Sequence, residues 1–164
     1  MIKSNLITIK LLYCSLIVGI IFTLDRITKI YIINNNKNIK YINDYLNLEL
    51  IWNTGIGFGL LSLNAGMLYN IISLIILIIV FLLIYLIIKS DKSESIFYSM
   101  LIGGAIGNLH DRITYFAVPD FIDVHFRGYH WFTFNVADIF ITLGIICLII
   151  DEILTKDKKN EKII

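Results

Sequence analysis

Four stretches of the chain are long, apolar and almost free of charge, and polar segments separate them. The cleanest covers residues 68–88, which contain no charged side chain before Lys89. A hydrocarbon layer about 30 Å thick needs roughly 20 helical residues, so this segment alone predicts a transmembrane helix. An earlier stretch, about 11–33, is apolar from Leu11 to Leu24, runs into Asp25-Arg26-Ile27-Thr28-Lys29 and resumes at Ile30. A third, about 95–112, is free of charge from Ser95 to Leu109 and ends on Asp111 and Arg112. The fourth, about 134–154, carries Asp138 near its start and reaches Asp151 and Glu152 near its end. Between the first two, Leu46, Leu48, Leu50 and Trp52 alternate with Asn47 and Glu49, the period of a half-buried strand.

Four spans put both termini on one side. The pieces on that side hold Lys3, Lys10, Lys89, Lys92, Lys156, Lys158, Lys159 and Lys162. Away from the span edges, the opposite face holds only Lys37, Lys40 and Arg127. The positive-inside rule therefore predicts cytoplasmic termini. A cleavable signal peptide is the alternative for the first segment, because Lys3 and Lys10 precede its apolar run. Nothing after that run resembles a small-x-small cleavage site, so a retained helix is the reading.

Composition agrees with a membrane setting. Of 164 residues, 57% are apolar and 16% charged, against about 45–50% and about 25% in soluble domains. The spans use about half the length, which predicts one membrane-embedded domain over 1–164. A net charge of +1 argues against a nucleic-acid partner, and a monomer is expected. Cys14 and Cys147 lie in apolar runs and read as small hydrophobes. His110, His125 and His130 form no metal-ligand spacing, so no metal and no cofactor are expected.

Charge inside a span costs about 2.5–3.5 kcal/mol on insertion scales, so the positions of the exceptions carry information. In this threading Asp25, Asp111, Arg112 and Asp138 all fall at the outer ends of their helices, and Asp120 falls in the outer loop. They converge on one level. An ion-pair network of Asp25, Lys29, Asp111 and Arg112 holding the helices together is one explanation. It leaves Asp120 and Asp138 with too few cations, which points to a pair of carboxylates available for acid–base work. Six of the ten glycines cluster in Asn53-Thr54-Gly55-Ile56-Gly57-Phe58-Gly59 and Gly103-Gly104-Ala105-Ile106-Gly107-Asn108. Close helix packing is one explanation of the second cluster, with a role at the polar site the other. The first lacks the Lys-Ser/Thr ending of a phosphate loop. Tyr129, Trp131 and Phe132 read as an interfacial aromatic belt, with substrate contact as the alternative.

These motifs together resemble the lipoprotein signal peptidases, also called type II signal peptidases. The likeness runs from Leu11 to Asp151 through Asp25-Arg26-Ile27-Thr28-Lys29, Asn53 to Gly59, Gly103 to Arg112, Val118-Pro119-Asp120-Phe121-Ile122-Asp123 and Phe134-Asn135-Val136-Ala137-Asp138. Thr28 stands where serine is usual, Gly57 where alanine is common, and Pro119 where valine is frequent.

The resemblance implies an α-helical integral membrane protein with four transmembrane helices and a small extracytoplasmic β-rich cradle, which the 46–59 segment helps to form. It implies an aspartyl endopeptidase in the bacterial cytoplasmic (inner) membrane, active at the outer face. The substrate would be a diacylglyceryl-modified prolipoprotein in the lipid bilayer, cut just before its lipidated cysteine. Asp120 and Asp138 map to the catalytic dyad, with Asp123 the alternative to Asp120. Asp25, Lys29, Asn53, Gly55, Gly104, Asn108, Arg112, Asn135 and Ala137 map to positions that bind substrate or support the dyad. Readings from other classes are a small transporter, with polar residues lining a route, and a non-catalytic membrane scaffold.

Overall fold

The computed structural model describes residues 2–35, 40–54 and 65–161, with side chains described for 6–35, 40–54 and 69–155. Its helices are α1 (Ile2–Asn35), α2 (Ala65–Lys89), α3 (Lys92–Tyr115) and α4 (Val136–Glu161). Four short strands lie between them: β1 (Lys40–Asn43), β2 (Leu46–Asn53), β3 (Val118–Phe126) and β4 (Tyr129–Phe134).

The connections fix where the sheet sits. Only Ser90 and Asp91 separate α2 from α3, so the two helices form an antiparallel hairpin. Asp91 caps α3: its side chain accepts from the Glu94 backbone N–H at 2.9 Å, and Glu94 reaches back to the Asp91 N–H, a reciprocal capping box. The N-terminal half of α1 reaches this same end, where Lys10 Nζ donates to the Ser90 carbonyl at 2.6 Å and Tyr13 Oη meets Ser95 Oγ at 2.7 Å. The chain therefore leaves α1, enters α2, leaves α3 and enters α4 at the opposite end, where all four strands lie. They pair antiparallel in the order β1-β2-β3-β4. The β2–β3 pairing, with Ile51 opposite Asp120 and Asn53 opposite Val118, ties the segment after α1 to the segment after α3. Arg127 and Gly128, both with positive φ, make the two-residue turn from β3 to β4, the geometry that suits strand twist.

α1 from Leu6 to Asn35 and α2 from Tyr69 to Lys89 are long and apolar enough to cross a bilayer. Leu74, Ile78, Phe81 and Leu82 on α2 stay exposed, as lipid-facing residues do. α3 is built the other way round. It packs against α1, α2 and α4 with an inward stripe of small and polar residues: Ser95, Ser99, Gly103, Gly104, Gly107, Asn108 and Asp111. A Cβ on Gly103 would stand 2.8 Å from Ile21 Cβ, and one on Gly104 2.5 Å from the Ala137 carbonyl oxygen. Close helix approach is thus what these two glycines provide. Cys14 packs with Val80, Leu83, Ile87 and Ile102, as a small hydrophobe would.

Candidate active site

α1 brings Asp25 and Arg26 beside Lys29, which lies four residues past the first and three past the second, the spacings at which helical side chains neighbour one another. Opposite them α3 presents Asn108 and Asp111. Asp25, Lys29 and Asp111 are fully buried. Lys29 Nζ lies 2.9 Å from Asp25 Oδ1, 2.6 Å from Asp111 Oδ2 and 2.8 Å from Asn108 Oδ1, which satisfies all three ammonium protons. Arg26 Nη2 bridges the other oxygens, 3.0 Å from Asp25 Oδ2 and 2.6 Å from Asp111 Oδ1. Two carboxylates and two cations cancel, which is the condition for burying charge.

The ion-pair network expected from the sequence thus exists, with one change of member. Arg26 fills the place given to Arg112, which instead donates from Nη1 to the Asn108 carbonyl at 3.2 Å. Arg112 lies four residues past Asn108, so its guanidinium reaches back along its own helix, whereas Arg26 faces across to α3.

The network leads to α4. Held by Lys29 at its oxygen, Asn108 donates from Nδ2 to Asp138 Oδ1 at 2.8 Å. Asp25 Oδ1 accepts the Ala137 backbone N–H at 3.1 Å, satisfying one of the orphan donors of the first helical turn. Gly107 is required beside it, because a Cβ there would sit 2.6 Å from Asp25 Oδ2. Asn135 caps α4: its Oδ1 accepts the Asp138 N–H at 3.2 Å, and its own N–H donates to Asp138 Oδ2 at 3.1 Å.

The same asparagine joins the two aspartates that the sequence singles out. Its Nδ2 donates to Asp120 Oδ1 at 2.5 Å, while Asn53 Nδ2, from β2, donates to Asp120 Oδ2 at 2.8 Å. Asp120 is buried and Asp138 half-buried. Burial pushes the Asp120 carboxyl above the usual carboxylate range; the amides of Asn53 and Asn135 oppose this, the charge of Asp138 reinforces it, and Lys29 opposes it. Each of the four carboxylate oxygens therefore has an N–H donor, two of them from Asn135 and one each from Asn53 and Asn108, and the two groups feel one another.

Asp123 lies elsewhere. Three residues along a strand reverse the side-chain direction, and Asp123 Oδ2 pairs with His130 Nδ1 at 2.8 Å and His125 Nδ1 at 3.5 Å. Of the expected supporting residues, Asp25, Lys29, Asn53, Gly104, Asn108, Asn135 and Ala137 surround the Asp120–Asp138 pair or the network behind it. Arg112 touches only the Asn108 backbone among them, and Gly55 lies outside the described residues. Arg26 was expected in neither the network nor the supporting set, whereas Asp111 was expected in the network alone. Among the described residues no group of His, Cys, Asp or Glu could hold a metal ion.

The fold and this buried polar end are those of a membrane enzyme. Two solved structures, each titled as a bacterial membrane enzyme determined by the in meso method, resemble the chain: one at TM-score 0.71 and 33% identity, covering 90% of both chains, the other at TM-score 0.73 and 34% identity, covering 85% of this chain and 91% of that one. Residues 17–154 match the family model described as signal peptidase (SPase) II. Among the curated relatives, the lipoprotein signal peptidase of Pelagibacter ubique is 48% identical over 96% of this chain and 99% of its own length. That of Blochmanniella pennsylvanica is 42% identical over 87% and 88%. The chain belongs to the signal peptidase II family.

Proposed function

We propose that the chain is an aspartyl endopeptidase that removes the signal peptide from diacylglyceryl-modified prolipoproteins, cleaving before the lipidated cysteine. The observation that carries this reading is the Asn135 side chain, which binds Asp120 and at the same time caps the helix that presents Asp138. In this reading all four helices cross the bacterial cytoplasmic membrane. Both termini are cytoplasmic, the sheet lies at the outer face, and the protein works as a monomer.

Two neighbouring carboxylates resist ionising together, so the working state holds one proton between them. The ionised member removes a proton from a water between them, and that water attacks the scissile carbonyl. The protonated member donates to the carbonyl oxygen and then to the departing amine. Asn53, Asn108 and Asn135 orient the carboxylates through amide donors, which need no titration of their own. The buried network behind them is electrically neutral and fixes Asn108. No covalent intermediate is required.

Purified protein in detergent, given a prolipoprotein with and without its diacylglyceryl group, should cut only the lipidated form, read on a gel as loss of the signal peptide. Equal cutting of both forms would remove lipid recognition from the reading, and cutting of neither would remove the peptidase. Asp123→Asn should keep activity within about fivefold, because its partners are His125 and His130; loss of about 10³-fold, the scale of an essential proton-transfer group, would return it to contention with Asp120.

The pair works with one proton, so activity falls at high pH when that proton leaves. Burial raises Asp120, and the alkaline limb of kcat/KM is therefore expected above the ordinary carboxylate range. Asn53 stabilises the charged form of Asp120. Asn53→Leu removes that donor, so Asp120 holds its proton to higher pH and the alkaline limb moves up. A limb that moves down would contradict the assignment of Asp120 to the pair.

A further inference from the structure

Beside Asp138, residues of β4 and α4 line an open groove of about 320 Å³. It is lined by Phe132, Phe134, Ile139, Thr142 and Leu143 together with Asp138. The groove continues an exposed stripe of α4. Ile139, Leu143, Ile146 and Ile150 recur at helical spacing on one face, each between 37% and 50% exposed. The stripe runs from the strand-bearing end of the bundle towards the other end, and Ile139 to Ile150 spans about 16 Å at 1.5 Å per residue. That is about half the hydrocarbon thickness of a bilayer.

Resting on the peptidase reading, we propose that this groove is the seat of one acyl chain of the substrate's diacylglyceryl group. The occupant follows from the lining. Apart from Asp138, its only polar side chain is Thr142. An extended peptide there would bring backbone N–H and C=O groups that need partners in an apolar setting. A hydrocarbon chain has no such requirement. Its start also matches. A scissile carbonyl at Asp138 leaves the glyceride of the next residue at the mouth of the groove, and the stripe leads its chain into the bilayer. The hollow of about 680 Å³ on α1, lined by Leu12, Ser15, Leu16, Gly19, Ile20, Thr23 and Leu24, includes no residue of the site.

The chain-length dependence of cleavage tests this. A lipobox peptide carrying two hexadecanoyl chains is compared with one carrying two butanoyl chains, both in detergent micelles. Leu143→Trp fills the groove and should raise KM for the long-chain substrate about tenfold, leaving kcat and the short-chain KM within twofold. Parallel losses on both substrates, or no change on either, would overturn the proposal. A second measurement does not depend on cleavage. A lipidated peptide with a diazirine in its acyl chain, photolysed with the full-length Asp138→Asn protein, should label Thr142, Leu143 and Ile146, and excess unlabelled lipidated peptide should suppress the labelling. Label confined to other helices would overturn the acyl seat even if the protein proved a peptidase. Label on this stripe without cleavage by the unaltered protein would preserve the seat and strike the peptidase reading alone.

Discussion

Asp120→Asn and Asp138→Asn are each expected to lower cleavage of a lipidated prolipoprotein by at least about 10³-fold, roughly 4 kcal/mol in activation free energy, while the protein still inserts and folds. The amide is nearly isosteric with the carboxyl, and its remaining oxygen keeps one of the two hydrogen bonds that each carboxylate accepts. What each variant loses is the ability to take up or release a proton. The two roles are complementary, so the double variant should be little worse than either single one, as for groups that act as a unit. Additive losses would mean two separate functions. Normal cleavage by either single variant, measured on purified protein of unchanged melting temperature, would remove that residue from the chemistry.

Replacing Lys29 acts through stability. Lys29→Met leaves Asp25 and Asp111, both fully buried, with Arg26 as their only close cation in the network described. Breaking a buried pair by removing one partner costs about 3–5 kcal/mol, a large part of the roughly 5–15 kcal/mol that holds a typical protein folded. The variant should melt well below the parent in detergent. It should also lose activity at temperatures where it remains folded, because Asn108 no longer has the ammonium that turns its amide towards Asp138. Lys89→Met is the control. That residue ends α2, over the Tyr85 ring at 5.9 Å, and its loss should leave both measurements nearly unchanged. A melting temperature for Lys29→Met within a degree of the parent would show that the buried network contributes little.

The helices were legible because spanning segments must be apolar over a fixed length. Their ends were less so. Hydropathy starts the third span at 95, yet α3 begins at Lys92, because the helix starts at its capping box and the apolar run only follows. The Asp91…Glu94 spacing was the available signal. The strand at 46–53 showed its alternation openly. β3 and β4 did not, since β3 is buried on both faces for much of its length and its register with β4 shifts between Val124 and His125. Arg127-Gly128 was the local cue to that hairpin. At the site, the convergence of Asp25, Asp111, Asp120 and Asp138 followed from threading alone. The choice between Arg26 and Arg112 did not, because it depends on which way each guanidinium turns at the interface of α1 and α3. The double duty of Asn135 had a trace in its spacing, three residues before Asp138, which is that of a capping box. Its third bond, to Asp120, joins two segments that only the folded sheet brings together.

Isotope transfer from water tests the central claim, the activation of water by Asp120 and Asp138, most directly. A single turnover of lipidated substrate in water enriched in oxygen-18, followed by mass spectrometry of both product and protein, distinguishes a water nucleophile from a carboxylate one. Direct attack by water predicts one heavy oxygen in the new C-terminal carboxyl of the released signal peptide and none in Asp120 or Asp138. Heavy oxygen in either aspartate, left by hydrolysis of an acyl-enzyme anhydride, would contradict it.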